Sequence, residues 1–303
     1  MKLKLGTRGS DLARTQSTMI AESLGAAGFE TELMTIRTAG DRSAATSFGS
    51  IGPQGVFVRE IEDALLAGDV DLAVHSFKDL PTRSPVELVI AAIPARRDPA
   101  DVLLVRQPAL AAGSDALLPL VEGTRIGTAS ARRRVWLKHF RADLETRPLR
   151  GNVPTRIKRL QDGHYDAILL AAAGIERLRE RTEVLDAALD GLVVLRLDPE
   201  RFVPAPAQGA LAVQCRRDRA DVVAALEALD DAATRTTVGA ERELLARVEG
   251  GCEMAFGAHC TRGSRGFKLV AMLEREGRVL TARAESEDAR TLAAAAWRAI
   301  EAV

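Results

Sequence analysis

The chain has 303 residues, long for one compact domain, so about two domains are expected at ~150 residues each, with room for a third small one. Lys plus Arg and Asp plus Glu both total 42, a formal net charge of zero. That balance excludes a surface that is a polyanion trap throughout, while leaving room for a local basic cleft.

In chain order, Lys2 to Leu5 alternates as a strand and stops at Gly6-Thr7. Ser10 is placed to cap a helix that runs to about Ala27 and ends at Gly28. Glu30 to Thr38 reads as a strand stopping at Gly40-Asp41. The run from Arg42 to Gly55 has no periodic core and is expected to be a loop acting as a lid. Phe57, Ile61 and Leu65 share a helix face ending at Gly68, and Val70 to His75 is an apolar strand. The grammar then repeats: Arg125-Ile-Gly-Thr-Ala-Ser130 parallels Leu5-Gly-Thr-Arg-Gly-Ser10, and Gly163-His-Tyr-Asp166 parallels Gly68-Asp-Val-Asp71. Strands alternating with helices predict mostly parallel sheets. The expected fold class is α/β, with two similar cleft-forming domains and a small C-terminal α/β domain. Residues 1–97 with 199–217 form the first domain, 101–194 the second and 218–303 the third. Crossings are expected at Ala95 to Pro99 and at Leu195 to Ala207. In the third domain, helices are predicted over Asp221 to Leu229, Thr234 to Val248 and Arg290 to Ile300, with a hairpin turning at Glu274-Arg-Glu-Gly277.

Ligands of parallel α/β sheets bind at the carboxyl ends of strands. There this sequence places Arg8, Ser76, Lys78, Asp79, Thr128, Ser130, Arg132, Arg133, Arg150 and Arg156. Of the 42 cations, 36 are Arg, whose fork suits carboxylates and phosphates. Several also fall near helix N-termini, which favour anions. The expected ligand is a small polyanion. Asp79, alone among these cations, is suited to stabilising a cation formed during reaction or to delivering a proton. Cys252 follows Gly250-Gly251 on an approachable loop. Three cysteines make no disulfide framework and point to a reduced, cytoplasmic protein. The scattered histidines give no metal site. The N-terminus lacks a signal peptide's apolar stretch, and no segment nears a membrane span, so no membrane partner is expected. No phosphate-binding Gly-x-x-x-x-Gly-Lys-Ser/Thr loop occurs. Zero net charge and 4% aromatic residues argue against nucleic acid as a partner.

Gly6-Thr-Arg-Gly-Ser10, Asp71-Leu-Ala-Val-His-Ser-Phe-Lys-Asp-Leu-Pro81, Gly127-Thr-Ala-Ser-Ala-Arg-Arg133, Leu149-Arg-Gly-Asn-Val-Pro-Thr-Arg156 and Glu249-Gly-Gly-Cys252, in this order, resemble the porphobilinogen deaminase (hydroxymethylbilane synthase) family. The resemblance covers nearly the whole chain. It implies a transferase with two periplasmic-binding-protein-like domains around a cleft, expected to be a monomer. The reaction it implies is stepwise head-to-tail condensation of four porphobilinogen molecules with loss of ammonia. This takes place on a dipyrromethane cofactor held by a thioether to Cys252, and hydrolysis releases linear hydroxymethylbilane for tetrapyrrole (heme) biosynthesis. Asp79 matches the catalytic carboxylate. Arg8, Ser76, Lys78, Thr128, Ser130, Arg132, Arg133, Arg150, Arg156 and Arg177 match contacts to cofactor or substrate carboxylates. The sequence departs from the family pattern at Gln54, Ala129, Ala131, Ala207 and Ala255. The alternative reading is a non-catalytic cleft-type binder of a small polycarboxylate, which explains the arginines but neither Asp79 nor Cys252.

Overall fold

The computed structural model describes residues 2–36, 53–111, 113–182, 184–248 and 254–302. Most of the expected lid and the Gly250-Gly-Cys252 loop lie outside the described residues; residues 53–55 open a helix, Pro53–Ala67 (α2). The chain divides into two compact units, Met1–Arg96 with Ala210–Arg235 and Arg97–Gly209 with Thr236–Val303.

The first unit is built on a five-stranded sheet of order β2-β1-β3-β10-β4. β1 (Lys2–Thr7) lies parallel to β2 (Glu30–Thr35) and β3 (Leu72–Ser76), with Leu5 opposite Leu33 and Leu72. β10 (Leu211–Arg216) runs antiparallel to β3 and to β4 (Leu88–Ala92). Helix α1 (Asp11–Ala26) starts where Ser10 Oγ accepts the Ala13 N–H. The chain leaves it at Gly28, whose φ of 89° is a conformation that favours glycine. The sheet and α1 bury Leu3, Leu5, Leu24, Leu72 and Val213 in one core.

The second unit repeats this plan with strand order β7-β6-β8-β5-β9. β6 (Arg125–Gly127) lies parallel to β7 (Glu145–Arg147) and β8 (Ala167–Ala171). β5 (Asp101–Arg106) runs antiparallel to β8 and β9 (Leu192–Arg196). The sheets are therefore mixed rather than mostly parallel: in each, one antiparallel strand, β10 or β5, is the first after a crossing. The sequence repeat has a physical counterpart. Asp71 accepts from Lys4 N at 2.8 Å and donates its own N–H to the Lys4 carbonyl. Asp166 does the same to Arg125, with its carboxylate 3.0 Å from Arg125 N. In both units the aspartate locks the start of one strand to the next.

The two units differ from the three expected domains: residues 236–303 group with the second unit, and two boundaries shift. The helix Ala220–Glu227 buries Val222, Ala225 and Leu226 in the first unit's core, so residues 218–235 join that unit and not a C-terminal domain. Residues 199–209 belong to the second unit, where Phe202 and Val203 pack with Leu103, Trp136 and Leu169. The C-terminal elements contribute Val270 and Met272 to that same core. They also form an antiparallel sheet of β11 (Phe256–Gly263), β12 (Gly266–Arg275) and β13 (Arg278–Ser286). The β12–β13 turn is Glu276-Gly277, with φ of 53° and 77°, the two-residue geometry that suits the right-handed twist of a hairpin. The sequence reading did not foresee β11, because its Gly, His and Cys residues carry little strand propensity. Among the described residues, no helix is long and apolar enough to cross a membrane.

Candidate functional site

In the first unit, the C-terminal ends of β1 and β3 open into a pocket. Its polar lining is Arg8, Ser10, Gln16, His75, Ser76 and Asp79; Val58 and Ile61 of α2 supply an apolar wall. Asp79 and Lys78 sit on a single 3-10 turn, Phe77–Asp79. The turn is fixed by burial of Phe77 and Leu80 and by the Phe77 N–H bonding the Ala210 carbonyl at 3.1 Å. Apolar anchors on either side thus hold a half-exposed carboxylate and ammonium in place. Ser76 Oγ accepts from the Gln16 amide nitrogen at 3.0 Å and donates to its carbonyl oxygen at 3.2 Å. Gln16 was missed in the sequence, yet there was a signal: it falls on the buried face of α1 with Ile20 and Leu24 at four-residue steps. A polar residue in an apolar stripe marks a site that needs a partner.

In the second unit, the equivalent strand end is built from Gly127, Thr128 and Ser130. A Cβ at Gly127 would lie 2.8 Å from side-chain atoms of both Leu149 and Tyr165, so glycine here lets those side chains pack directly on the strand backbone. Thr128 Oγ1 accepts the Ser130 N–H at 3.2 Å, and Ser130 Oγ caps the helix Ala131–Phe140 (α3) through the Arg133 N–H. Asn152 caps the next helix, Val153–Gln161, and so places Arg156 in its first turn. Arg150 is exposed and Arg156 half-buried.

Arg132, Arg133 and Arg177, expected as ligand contacts, point inward and have internal partners. Arg132 and Arg133 are each 6% exposed and converge on Asp101, which is 0% exposed. Arg132 lies 2.8 Å from Asp101 Oδ2 and donates to the Val203 carbonyl at 2.8 Å. Arg133 donates to Asp101 Oδ1 at 3.2 and 2.6 Å and to the Leu169 carbonyl at 2.8 Å. Gln208 adds a bond to the same carboxylate at 2.9 Å. Arg177 donates to the Gly209 carbonyl at 2.7 Å in the crossing segment. Burial pushes the Asp101 carboxyl upward, but the two guanidiniums outweigh it and hold it well below the usual carboxylate range. Arg156 is shifted down by burial and then by the charge of Arg133. It bonds the Gly151 carbonyl at 2.6 Å and has no carboxylate partner among the described residues. Two guanidiniums thus share one carboxylate, a third, Arg156, feels the charge of Arg133, and this region carries surplus positive charge.

Three further departures are placed. Ala207 has a φ of 61°, a left-handed position that favours glycine. Ala129 is exposed, and Ala255 is buried in the second unit's core. Among the described residues, no cluster of His, Cys, Asp and Glu could hold a metal ion. Cys215 and Cys260 are buried in β10 and β11.

The model of the family described as "Porphobilinogen deaminase, dipyromethane cofactor binding domain" matches residues 3–224. The porphobilinogen deaminase of Mycobacterium leprae is 44% identical over 277 residues, 91% of this chain and 80% of that protein. That of Acidothermus cellulolyticus is 47% identical over 84% of this chain and 74% of its own length. That of Nocardia farcinica is 44% identical over 92% of this chain and 73% of its own length. A likeness of this depth, running through both strand-end sites and the core that supports them, means that the chain belongs to the porphobilinogen deaminase family.

Proposed function

We propose that the chain condenses four porphobilinogen molecules head to tail with release of ammonia, on a dipyrromethane cofactor, and frees linear hydroxymethylbilane by hydrolysis. The observation that carries this reading is identity of 44% across 91% of the chain with a porphobilinogen deaminase. The residues present fit the cofactor. A dipyrromethane of this family bears acetate and propionate arms, and the second unit offers surplus positive charge with Arg156 free of any described carboxylate. When bound, the group supplies the pyrrole end to which each substrate is joined.

In the first unit, Arg8, Ser76 and Lys78 hold substrate carboxylates. In the second, Thr128, Ser130, Arg150 and Arg156 do so at the helix N-termini, where free N–H groups also favour anions. Arg132 and Arg133 act from the interior: their charge exceeds that of Asp101, and the surplus adds to the attraction. Arg177 steadies the crossing at Gly209. Loss of ammonia, and then attack by the next pyrrole, leaves positive charge on the substrate rings. The Asp79 carboxylate, held on its short turn beside the pocket, stabilises that charge without having to reorganise. Cys252 carries the cofactor as a thioether. In support, Cys215 and Cys260 are packed inside strands, and burial pushes the Cys215 thiol up to about 11, which makes it a poor nucleophile at neutral pH.

Intact mass of the purified protein, followed by peptide mapping in denaturant with added thiol, tests the reading. A thioether survives reduction, so the adduct should persist, map to the peptide containing Cys252 and vanish in Cys252→Ala. An active preparation with unmodified Cys252 would overturn the attachment. A protein with no adduct and no turnover of porphobilinogen would favour the polycarboxylate binder.

A further inference from the structure

His75 opens the His-Ser-Phe-Lys-Asp run, yet nothing above uses it. It is 6% exposed and lines the first-unit pocket beside Arg8, Ser76 and Asp79. Opposite it in the sheet register is Ala212, and Gln214 lies opposite Ala73. Alternation along β3 and β10 therefore puts His75 and Gln214 on one face as diagonal neighbours. Gln214 is fully buried and donates its amide nitrogen to Glu62 Oε1 of α2 at 3.0 Å. That leaves two buried polar atoms without a hydrogen bond, Gln214 Oε1 and His75 Nε2. An amide oxygen only accepts, whereas an imidazole nitrogen can donate. A proton on Nε2 directed at Gln214 Oε1 satisfies both, and leaving either unsatisfied in the interior is costly. Burial takes the ring down to about 4, against the opposing pull of Gln214, so at neutral pH it carries one N–H only. With that proton on Nε2, Nδ1 is a lone-pair acceptor. Among its pocket neighbours the Asp79 carboxylate only accepts, and the donors Arg8 and Ser76 are the groups assigned above to substrate carboxylates.

We propose that His75, as its Nε2–H tautomer, accepts through Nδ1 a hydrogen bond from an N–H group of the substrate in this pocket, and is a further substrate-binding residue of the reaction. The inference rests on the functional reading above and assigns a role to a side chain which that reading leaves idle. The donor is the pyrrole N–H or the aminomethyl group, both N–H donors of the same molecule.

Three substitutions separate this role from a merely structural one. Asn places an amide oxygen near the position of Nδ1, Gln places an amide nitrogen near Nε2, and Ala removes both. Each variant is checked for thermal unfolding and for the covalent adduct by mass, and rates are expressed per loaded molecule. His75→Ala and His75→Gln should raise KM about tenfold, the size of one lost hydrogen bond, with a smaller change in kcat. His75→Asn should rescue KM to within about threefold. N-methylated porphobilinogen, used as a competitor, identifies the donor. If methylation weakens binding to the parent but not to His75→Ala, the donor is the pyrrole N–H; if it acts equally on both, the donor is the aminomethyl group. Nitrogen NMR of the parent with labelled histidine, assigned through His75→Asn, should show Nε2 protonated and Nδ1 bare at pH 7. A proton on Nδ1, or His75→Gln matching the parent in KM, would overturn the proposal. A parent that does not consume porphobilinogen would instead overturn the functional reading, and the tautomer measurement keeps the two failures apart.

Discussion

Asp101→Asn removes one charge and almost no volume, and it tests whether the second unit's stability depends on a buried ionic triad. Asp101 is completely buried, and both of its guanidinium partners are 6% exposed. Deleting one partner of a buried pair costs about 3–5 kcal/mol, because the other charge is left uncompensated. Here one carboxylate serves two cations at 2.8 and 2.6 Å, so the upper end, about 5 kcal/mol, is expected. At roughly 2–4 °C per kcal/mol for domains of this size, the melting temperature should fall by about 10–20 °C. Urea unfolding followed by tryptophan fluorescence is a suitable assay. Trp136 is fully buried and donates to the same Val203 carbonyl that Arg132 contacts, so it reports on this cluster. The pH dependence provides a second check. Asp101 is depressed in the folded state, so its contribution is complete above the unfolded carboxylate value of about 3.9 and is lost as the pH falls toward the lower folded value. The gap between parent and Asp101→Asn should therefore narrow below about pH 4. A variant within about 1 kcal/mol of the parent at pH 7, or a gap that is the same at pH 3 and pH 7, would refute the reasoning.

Lys substitutions should divide the arginines. Arg132→Lys and Arg133→Lys lose bonds to Asp101, Val203 or Leu169 and should lower stability by at least about 2 kcal/mol in urea titrations. Arg150→Lys and Arg156→Lys should leave stability within about 0.5 kcal/mol of the parent and reduce cofactor loading or turnover; uniform behaviour of all four would contradict the placement of the inner pair. Asp79→Ala should keep the parent's unfolding curve and its adduct while kcat falls at least a hundredfold, in line with loss of a transition-state stabiliser; near-parental turnover would remove its assigned role. Ala207 is fully buried at a φ of 61°, and its N–H bonds Glu241 at 2.7 Å. Ala207→Gly should stay within about 1 kcal/mol of the parent, since relieved strain offsets the freedom of glycine in the unfolded chain, whereas Ala207→Val should lose at least about 2 kcal/mol; equal thermal stability of the two would argue against strain there.

What the sequence determined by itself about this protein is whatever depends on neighbours along the chain. Ser10 and Ser130 cap the helices they were expected to cap. Gly28 takes the left-handed conformation expected where a helix ends. The Gly-Thr and Gly-x-x-Asp repeats announced two sheets of one plan, because side chains packed on a strand-end glycine and an aspartate lock impose the same local demands wherever they occur. Asp79 at a strand end was legible for the same reason. Arg132 and Arg133 were half legible: they share a helix face with Trp136 and Leu137, all four buried, a spacing that carries an inward signal although the sequence alone placed both among the ligand contacts. Their counter-charge could not be read, because Asp101 is 32 residues from Arg133 in the chain and meets it only through strand pairing. The placement of Ala220–Glu227 on the first sheet, the antiparallel strand after each crossing and the strand β11 were likewise decided by tertiary structure. Each depends on which distant apolar face is available to cover it, a free energy gained only once the sheets exist. The His75–Gln214–Glu62 chain is of the same kind: three residues from three segments, brought within reach by the register of β3 on β10 and by the helix that covers them.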